Sequence, residues 1–174
     1  LSDPENAEGL LLATFFASKG DIVVAPNYAG YDTSTLPYHP FLVADQQSAD
    51  MIDALTAARS ALPVMSAPST SDGGKLFITG YSQGGYMSFR YGMDTSATLA
   101  CAGLIGAANP LGPQLTAAAP RKIPVALQIG TNDGAITQAQ STKTDLEGKG
   151  FPLDYHEIQG AGHVPVAGGV TVPL

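Results

Sequence analysis

The apolar positions of this chain fall into segments whose order predicts an α/β fold. Residues 4–18 are apolar over a wide arc, which predicts a buried helix with Asp3 as its N-cap and Gly20 as its C-cap. The run 21–26 predicts a strand that ends at a proline. Residues 43–62 place apolar side chains on one helical face, and Pro63 ends that helix.

The second half of the chain repeats the order of strand and helix. Strands are predicted at Leu76–Thr79, Leu99–Ala107, Ile123–Gly130 and Pro152–Ile158, and helices from Ser82 to about Tyr91 and from Ile136 to Leu146. Residues 109–121 contain three prolines and are predicted to be a loop. The alternation predicts a mainly parallel sheet with flanking helices. Ile22–Ala25 and Leu76–Ile78 lack polar alternation, which predicts strands covered on both faces.

A nucleophile elbow is the strongest chemical signal in the sequence. Gly80-Tyr81-Ser82-Gln83-Gly84 matches the pattern G-x-S-x-G, directly after an apolar strand and before a helix. The turn would hold Ser82 at the tip of the sheet, with Gly80 and Gly84 allowing strand and helix to pass closely. The backbone amide of Gln83 would then point to where an oxyanion forms. A serine that merely occupies a turn is the weaker interpretation.

A serine hydroxyl needs a base, and that base needs an acid that orients it. Asp133 follows the strand that ends near Gly130, and His163 follows the strand that ends at Ile158. Because the carboxyl ends of parallel strands share one edge of a sheet, all three side chains can meet there. We therefore expect Ser82 as nucleophile, His163 as base and Asp133 as acid, although an aspartate before a helix can also serve only as a cap.

Other polar and aromatic residues compete for roles in this site. His156 and Asp154 lie inside a predicted strand and would point to a sheet face, so His163 and Asp133 are preferred. His39 lies between a tyrosine and a proline, which is typical of a hydrogen-bonding loop residue. Tyr28, Tyr31 and Tyr81 are candidate substrate-binding residues. For the tyrosines of the loop 27–40, packing onto their own domain is an equally good explanation.

The order Ser82, Asp133, His163 and the elbow resemble the α/β-hydrolase superfamily, especially small bacterial esterases, dienelactone-hydrolase-like enzymes and secreted lipase-like enzymes. The resemblance extends from residue 4 to about 165 and includes Asn27-Tyr28-Ala29-Gly30-Tyr31, which resembles the segment after the fourth strand of that fold. It implies one catalytic domain over residues 1–174 that hydrolyses a small carboxylic ester without a cofactor. The first alternative is a non-catalytic binding domain or an inactive fragment of a larger α/β-hydrolase, and the second is a peptidase or amidase of the same fold.

The resemblance also implies that parts of the usual fold lie outside this sequence. In the family, the first strands precede the helix at residues 4–18, and a third strand separates those that correspond to Ile22–Ala25 and Leu76–Thr79. The loop after that third strand normally carries the second oxyanion donor. We therefore expect either upstream polypeptide or another subunit to complete the sheet. The short connection 109–121 leaves no sequence for a lid, so the site is expected to be open.

Composition narrows the range of partners. The chain has 174 residues, 44% of them hydrophobic, and a net charge of −7, which argues against a nucleic-acid-binding protein. Its longest apolar run, residues 9–17, is too short to span a membrane, and the acidic residues before it do not suit a signal peptide. Cys101 lies in an apolar run and is expected to be inert. The three histidines lack the spacing of zinc ligands, so no metal is expected. A composition rich in Ala, Gly, Thr and Pro leans weakly towards an exported protein.

Overall fold

The computed structural model describes residues 13–31, 33–40, 43–65 and 73–164. The chain divides into two compact units, Leu1–Gly74 and Lys75–Leu174. In the described ranges, no helix reaches the length and hydropathy that a membrane-spanning segment needs.

The N-terminal unit is helical where it is regular. Residues 13–17 are helical and a turn ends at Gly20, as predicted, whereas residues 4–12 of the predicted helix lie outside the described residues. Helix α1 spans Ala44–Ala61 and passes into a short 3₁₀ helix, Leu62–Val64, close to the predicted end at Pro63. Asp50 of α1 accepts a hydrogen bond from the amide of Ala29, with 3.0 Å between nitrogen and oxygen. The tyrosine-rich loop is thereby fixed to its own unit.

The predicted strand at residues 21–26 is wrong. These residues have no regular secondary structure, and Ile22, Val23 and Val24 are 40%, 38% and 38% exposed. An extended segment is stabilised as a strand only when neighbouring backbone groups complete its hydrogen bonds. The described residues of this unit contain no strand that could complete those hydrogen bonds.

The C-terminal unit contains the parallel sheet that the sequence predicts. Its strands are β1 (Leu76–Tyr81), β2 (Leu99–Ile105), β3 (Val125–Gly130) and β4 (Leu153–Ile158), paired in that order and all parallel. Its helices are α2 (Gln83–Asp94), α3 (Pro113–Ala118) and α4 (Ile136–Lys149). Helix α3 corrects the prediction of a loop over 109–121. Pro113 stands at its start, where a fixed φ and a missing N–H favour a first helical turn.

One face of this sheet is buried and the other is more exposed. Leu104, Leu127 and Ile129 have at most 1% of their surface exposed, and they alternate along their strands with more accessible residues. On β1, Phe77 is 54% exposed beside the buried Ile78, so the prediction that Leu76–Ile78 is covered on both faces is wrong. Strands that pair in chain order through right-handed crossovers place every connecting helix on the same face. This strand order therefore accounts for the alternation.

Candidate active site

The turn between β1 and α2 holds Ser82 in a strained backbone conformation. Ser82 has φ 54° and ψ −122°, and it is the one non-glycine residue with a positive φ among those described. Its amide donates to the carbonyl oxygen of Ile105 at 2.8 Å, which ties the turn to the end of β2. Such strain persists only where the surrounding structure over-determines it, and it concentrates at functional positions. The side chain of Ser82 is only partly buried and can meet a substrate.

Close approach at the elbow explains one of its two predicted glycines. A Cβ on Gly80 would lie 2.3 Å from the carbonyl carbon and oxygen of Gly84, so only glycine fits there. A Cβ on Gly84 itself would meet nothing within 4 Å, which corrects the prediction that Gly84 must be glycine to provide clearance. Gly85 has that role instead, because its Cβ would lie 2.6 Å from the Cβ of Ala107.

Ser82, His163 and Asp133 form one hydrogen-bonded chain. His163 Nε2 lies 2.8 Å from Ser82 Oγ, and His163 Nδ1 lies 2.8 Å from Asp133 Oδ2. The Asp133 side chain is 3% exposed, whereas that of His163 is 48% exposed. The other carboxylate oxygen of Asp133 accepts from the amide of Ala135 at 2.8 Å. A carboxylate held in this way keeps a proton on Nδ1 and leaves Nε2 free to accept the hydroxyl proton.

Hydrogen bonds between two loops hold the acid and the base in register. The amide of Asn132 donates to the carbonyl of Ala161 at 2.9 Å, and its side-chain amide donates to the carbonyl of Gly160 at 3.1 Å. Thr131 Oγ1 accepts from the amide of Gly160 at 2.9 Å. A Cβ on Gly130 would lie 2.2 Å from the carbonyl oxygen of Gly162, so only glycine allows the two loops to pass.

These loop-coupling residues are not among the site residues predicted from the sequence. The run Gly130-Thr131-Asn132 supplies one partner of each contact, but the other partners lie about 30 positions away, so the sequence carries no local signal for the pairing.

The first turn of α2 lies next to Ser82. Gln83 is its first residue, and the leading amides of a helix have no carbonyl partner within the helix. Further along α2, the hydroxyl of Tyr86 donates to Gln138 Oε1 at 3.2 Å, and Gln138 Nε2 donates to the carbonyl of Asn109 at 2.9 Å. Burial, and then the nearby Asp133 carboxylate, raise the pKa of Tyr86. Tyr86 therefore keeps its proton and acts as a hydrogen-bond donor beside the acid.

Of the predicted substrate-binding tyrosines, Tyr81 lies at this site and contacts His163 ring to ring, with centroids 5.3 Å apart. Tyr28 and Tyr31 belong to the N-terminal unit, where the ring of Tyr31 lies 4.4 Å from that of His39. Burial, and then the Asp50 carboxylate, raise the pKa of Tyr28. A substrate-binding role for Tyr28 and Tyr31 stays a prediction.

The competing histidines have other partners. His39 Nδ1 lies 2.7 Å from the carbonyl oxygen of Ala29, which confirms the predicted loop hydrogen bond. His156 lies within β4 and pairs with Asp154 at 2.8 Å, with both side chains more than half exposed. Cys101 is partly buried rather than fully enclosed, and that burial raises its pKa. Across the described parts of the chain, no three His, Cys, Asp or Glu side chains gather as a possible metal site.

Comparison with known proteins shows the family to which the chain belongs. The model of the dienelactone hydrolase family matches residues 9–166. A search of curated proteins found no match.

Several solved structures have a similar fold, and three of them illustrate the likeness. Pyrococcus horikoshii acylaminoacyl peptidase is 15% identical with a TM-score of 0.52, covering 68% of this chain and 23% of its own. A thermostable esterase is 18% identical with a TM-score of 0.51, covering 73% of this chain and 31% of its own. Arabidopsis thaliana SOBER1 is 19% identical with a TM-score of 0.50, covering 78% of this chain and 65% of its own.

At these identities the structural likeness shows the fold alone, and the chain spans less than two thirds of the length of each of these proteins. The parallel sheet with flanking helices agrees with a reduced α/β-hydrolase fold. The family model matches almost the whole chain, and the chain therefore belongs to the dienelactone hydrolase family.

Proposed function

We propose that this chain is a serine hydrolase that cleaves small carboxylic esters through an acyl-enzyme on Ser82. The observation that carries the proposal is the pair of 2.8 Å contacts that link Ser82 Oγ through the His163 ring to Asp133. The strained φ of Ser82 supports it, because that conformation presents the hydroxyl at the tip of the sheet.

In the acylation step, Ser82 Oγ attacks the ester carbonyl carbon while His163 Nε2 takes the hydroxyl proton. Asp133 stabilises the resulting imidazolium through Nδ1–H and does not itself take the proton. The carbonyl oxygen becomes an oxyanion, and the amide of Gln83 is the proposed donor to it. The tetrahedral intermediate then collapses, the C–O bond to the alcohol breaks, and His163 returns its proton to the leaving oxygen.

In the deacylation step, water replaces the alcohol. His163 Nε2 takes a proton from the water as its oxygen attacks the acyl carbon. When the second tetrahedral intermediate collapses, the bond to Ser82 Oγ breaks and His163 protonates that oxygen. The carboxylic acid leaves and the serine is regenerated. No redox change occurs in either step. The proton that leaves Ser82 or the water passes to His163 Nε2 and then to the oxygen of the departing group.

We further propose that the second oxyanion donor comes from polypeptide that pairs with β1. In the described residues, β1 is the outer strand of the sheet and pairs only with β2. Added chain at that edge would lie beside the elbow, because β1 ends one residue before Ser82. One oxyanion donor is worth about 10²–10³-fold in rate, so a chain that lacks this polypeptide would hydrolyse esters slowly.

Ester turnover in matched serine variants tests the proposal. In Ser82→Ala, hydrolysis of a short-chain p-nitrophenyl ester should fall by at least about 10³-fold, because the nucleophile is gone. Ser141→Ala is the control, since Ser141 is an exposed serine of α4 whose hydroxyl donates to the carbonyl of Thr137 in its own helix. Wild-type turnover in Ser82→Ala would contradict the proposal. Loss of turnover in both variants would point to damage of the fold.

The wild-type protein also distinguishes the esterase function from two alternatives, an amidase and a non-catalytic binding domain. A p-nitroanilide of the same acyl group tests the amidase function, because the leaving nitrogen of an amide needs protonation by His163 more than the leaving oxygen of an ester does. Cleavage of the ester but not of the anilide supports an esterase. Binding of an ester without cleavage would favour the non-catalytic domain.

A further inference from the structure

The imidazole of His163 is contacted at its side as well as at its two nitrogens. The ring of Tyr81 lies 5.3 Å from it, centroid to centroid, with an angle of 41° between the planes. Gly106, the residue after β2, lies against both. A Cβ built on Gly106 would be 3.2 Å from Tyr81 Cε2, 3.4 Å from His163 Cε1 and 3.1 Å from the His163 carbonyl oxygen.

These contacts restrict a motion that the hydrogen bonds leave free. Asp133 holds Nδ1 and Ser82 holds Nε2, so two points of the imidazole are fixed. The bond from Cβ to Cγ is a third attachment, but hydrogen bonds tolerate a range of angles, so the ring can still swing within that range. A packing contact on the side of the ring narrows the range, and with it the angle at which Nε2 faces the serine hydroxyl. The Tyr81 ring is such a contact.

We propose that Tyr81 is a positioning residue that sets the tilt of the His163 ring, and that Gly106 is kept small so that the two rings can meet. This inference rests on the proposed serine hydrolase function.

The backbone at these positions is fixed independently of the two rings. Gly106 has φ +59°, and its amide donates to the carbonyl of Gln128 at 2.9 Å. Tyr81 is the last residue of β1 and pairs in register with Ile105 of β2. Because Gly106 follows Ile105 directly, the parallel pairing of β1 and β2 brings the tyrosine and the glycine to the same place. A change of side chain at Tyr81 thus leaves the strand ladder intact.

Two variants of Tyr81 test the inference. Tyr81→Phe keeps the ring and should retain kcat within about twofold, whereas Tyr81→Leu should lower kcat about tenfold, since small misplacements of a catalytic group are costly. KM should change less than kcat in Tyr81→Leu, because the loss is in positioning the base. Equal kcat in wild type and Tyr81→Leu would overturn the inference. A rise in KM alone would also overturn it and would make Tyr81 a substrate-binding residue.

A variant of Gly106 tests the same contact from the other side. Gly106→Ala should slow turnover, because the new methyl group displaces the His163 ring or the Tyr81 ring. Gly150→Ala is the matched control. Gly150 caps α4 at φ +74°, so alanine there meets similar backbone strain, and its Cβ approaches only Lys122 Nζ at 3.7 Å. Turnover in Gly106→Ala equal to that in Gly150→Ala would count against the inference.

A readout that does not depend on turnover separates this inference from the proposed function. The NMR signal of the His163 Cε1 proton should move in Tyr81→Leu, through loss of the ring current, and keep its position in Tyr81→Phe. A moved signal in a protein without esterase activity would refute the hydrolase function but retain the ring contact. An unmoved signal in Tyr81→Leu, in a protein that cleaves esters, would refute the ring contact and retain the hydrolase.

Discussion

Two apolar runs of similar composition, residues 22–25 and 125–129, have different backbone structures. Val125–Ile129 lies in β3 between two parallel strands, and its inward side chains are at most 2% exposed. Ile22–Val24 has no regular secondary structure and is 38–40% exposed. The difference lies in the neighbours and not in the residues. A parallel strand is stable when partners complete its hydrogen bonds and helices cover its side chains.

The same comparison shows where the three proposed catalytic side chains lie. In the paired sheet, β1, β3 and β4 end at one edge, and the segments after them carry Ser82, Asp133 and His163. In the N-terminal unit, Tyr28 and Tyr31 follow a run that is not a strand. Paired strands therefore give their end-loops a fixed position, which is what a hydrogen-bonded chain of three side chains needs.

The largest expected effect separates a histidine at a strand end from one inside a strand. His163→Ala should lower ester turnover by at least about 10³-fold, because the general base is lost. His156→Ala should leave turnover unchanged, since His156 is exposed on β4 and pairs with Asp154. Steady-state kinetics on both variants measures this. Loss of turnover in His156→Ala, or its retention in His163→Ala, would contradict the assignment of the base.

The next effect compares one substitution in the two apolar runs. Ile129→Ala should lower the free energy of unfolding by about 2–5 kcal/mol, because Ile129 is fully buried in β3. Ile22→Ala should change it by about 0.5 kcal/mol or less, as is usual for an accessible side chain. Urea denaturation followed by circular dichroism gives both values. A large loss of stability in Ile22→Ala would mean that residues 22–25 are buried in the folded protein in solution.

The smallest expected effect concerns Gln83. If its backbone amide is the oxyanion donor, the side chain is dispensable, and Gln83→Ala should retain kcat within about twofold. The side chain is exposed at the start of α2, and alanine favours a helix. A loss of 10²-fold or more would show that the amide side chain itself takes part. Short-chain p-nitrophenyl esters are suitable substrates for this measurement.

The sheet of the C-terminal unit could be predicted from the sequence because its strands are short apolar runs separated by helix signals or by a proline-rich stretch. All four strands were predicted, and each predicted bound lies within two residues of the observed one. Two of the failures share one cause, which is that a run of apolar residues does not reveal its neighbours. Ile22–Ala25 resembles a buried strand, and Phe77 resembles a core residue, although it is 54% exposed. Helix α3 was missed because prolines suggested a loop.

That Ser82, Asp133 and His163 lie together could be predicted because each follows a parallel strand, and the carboxyl ends of parallel strands share one edge of the sheet. Their supporting residues could not. The need for glycine at Gly130 and Gly106 arises from the close approach of segments distant in sequence, to Gly162 and His163 respectively. The contact of Tyr81 with His163 likewise joins residues 82 positions apart. Such contacts depend on the packing of loops, for which one sequence carries no periodic signal.

Covalent labelling tests the proposed nucleophile, Ser82, without the need for a substrate. The wild-type protein is incubated with a fluorophosphonate, and the adduct is located by mass spectrometry of tryptic peptides. Ser82 and the buried Ser88 share the peptide Leu76–Arg90, so fragmentation must distinguish them. If Ser82 is the nucleophile and His163 its base, the wild-type protein carries one adduct per chain, on Ser82, and the His163→Ala variant carries none. An unlabelled wild-type protein, or an adduct on another serine, would contradict the assignment of Ser82 as nucleophile.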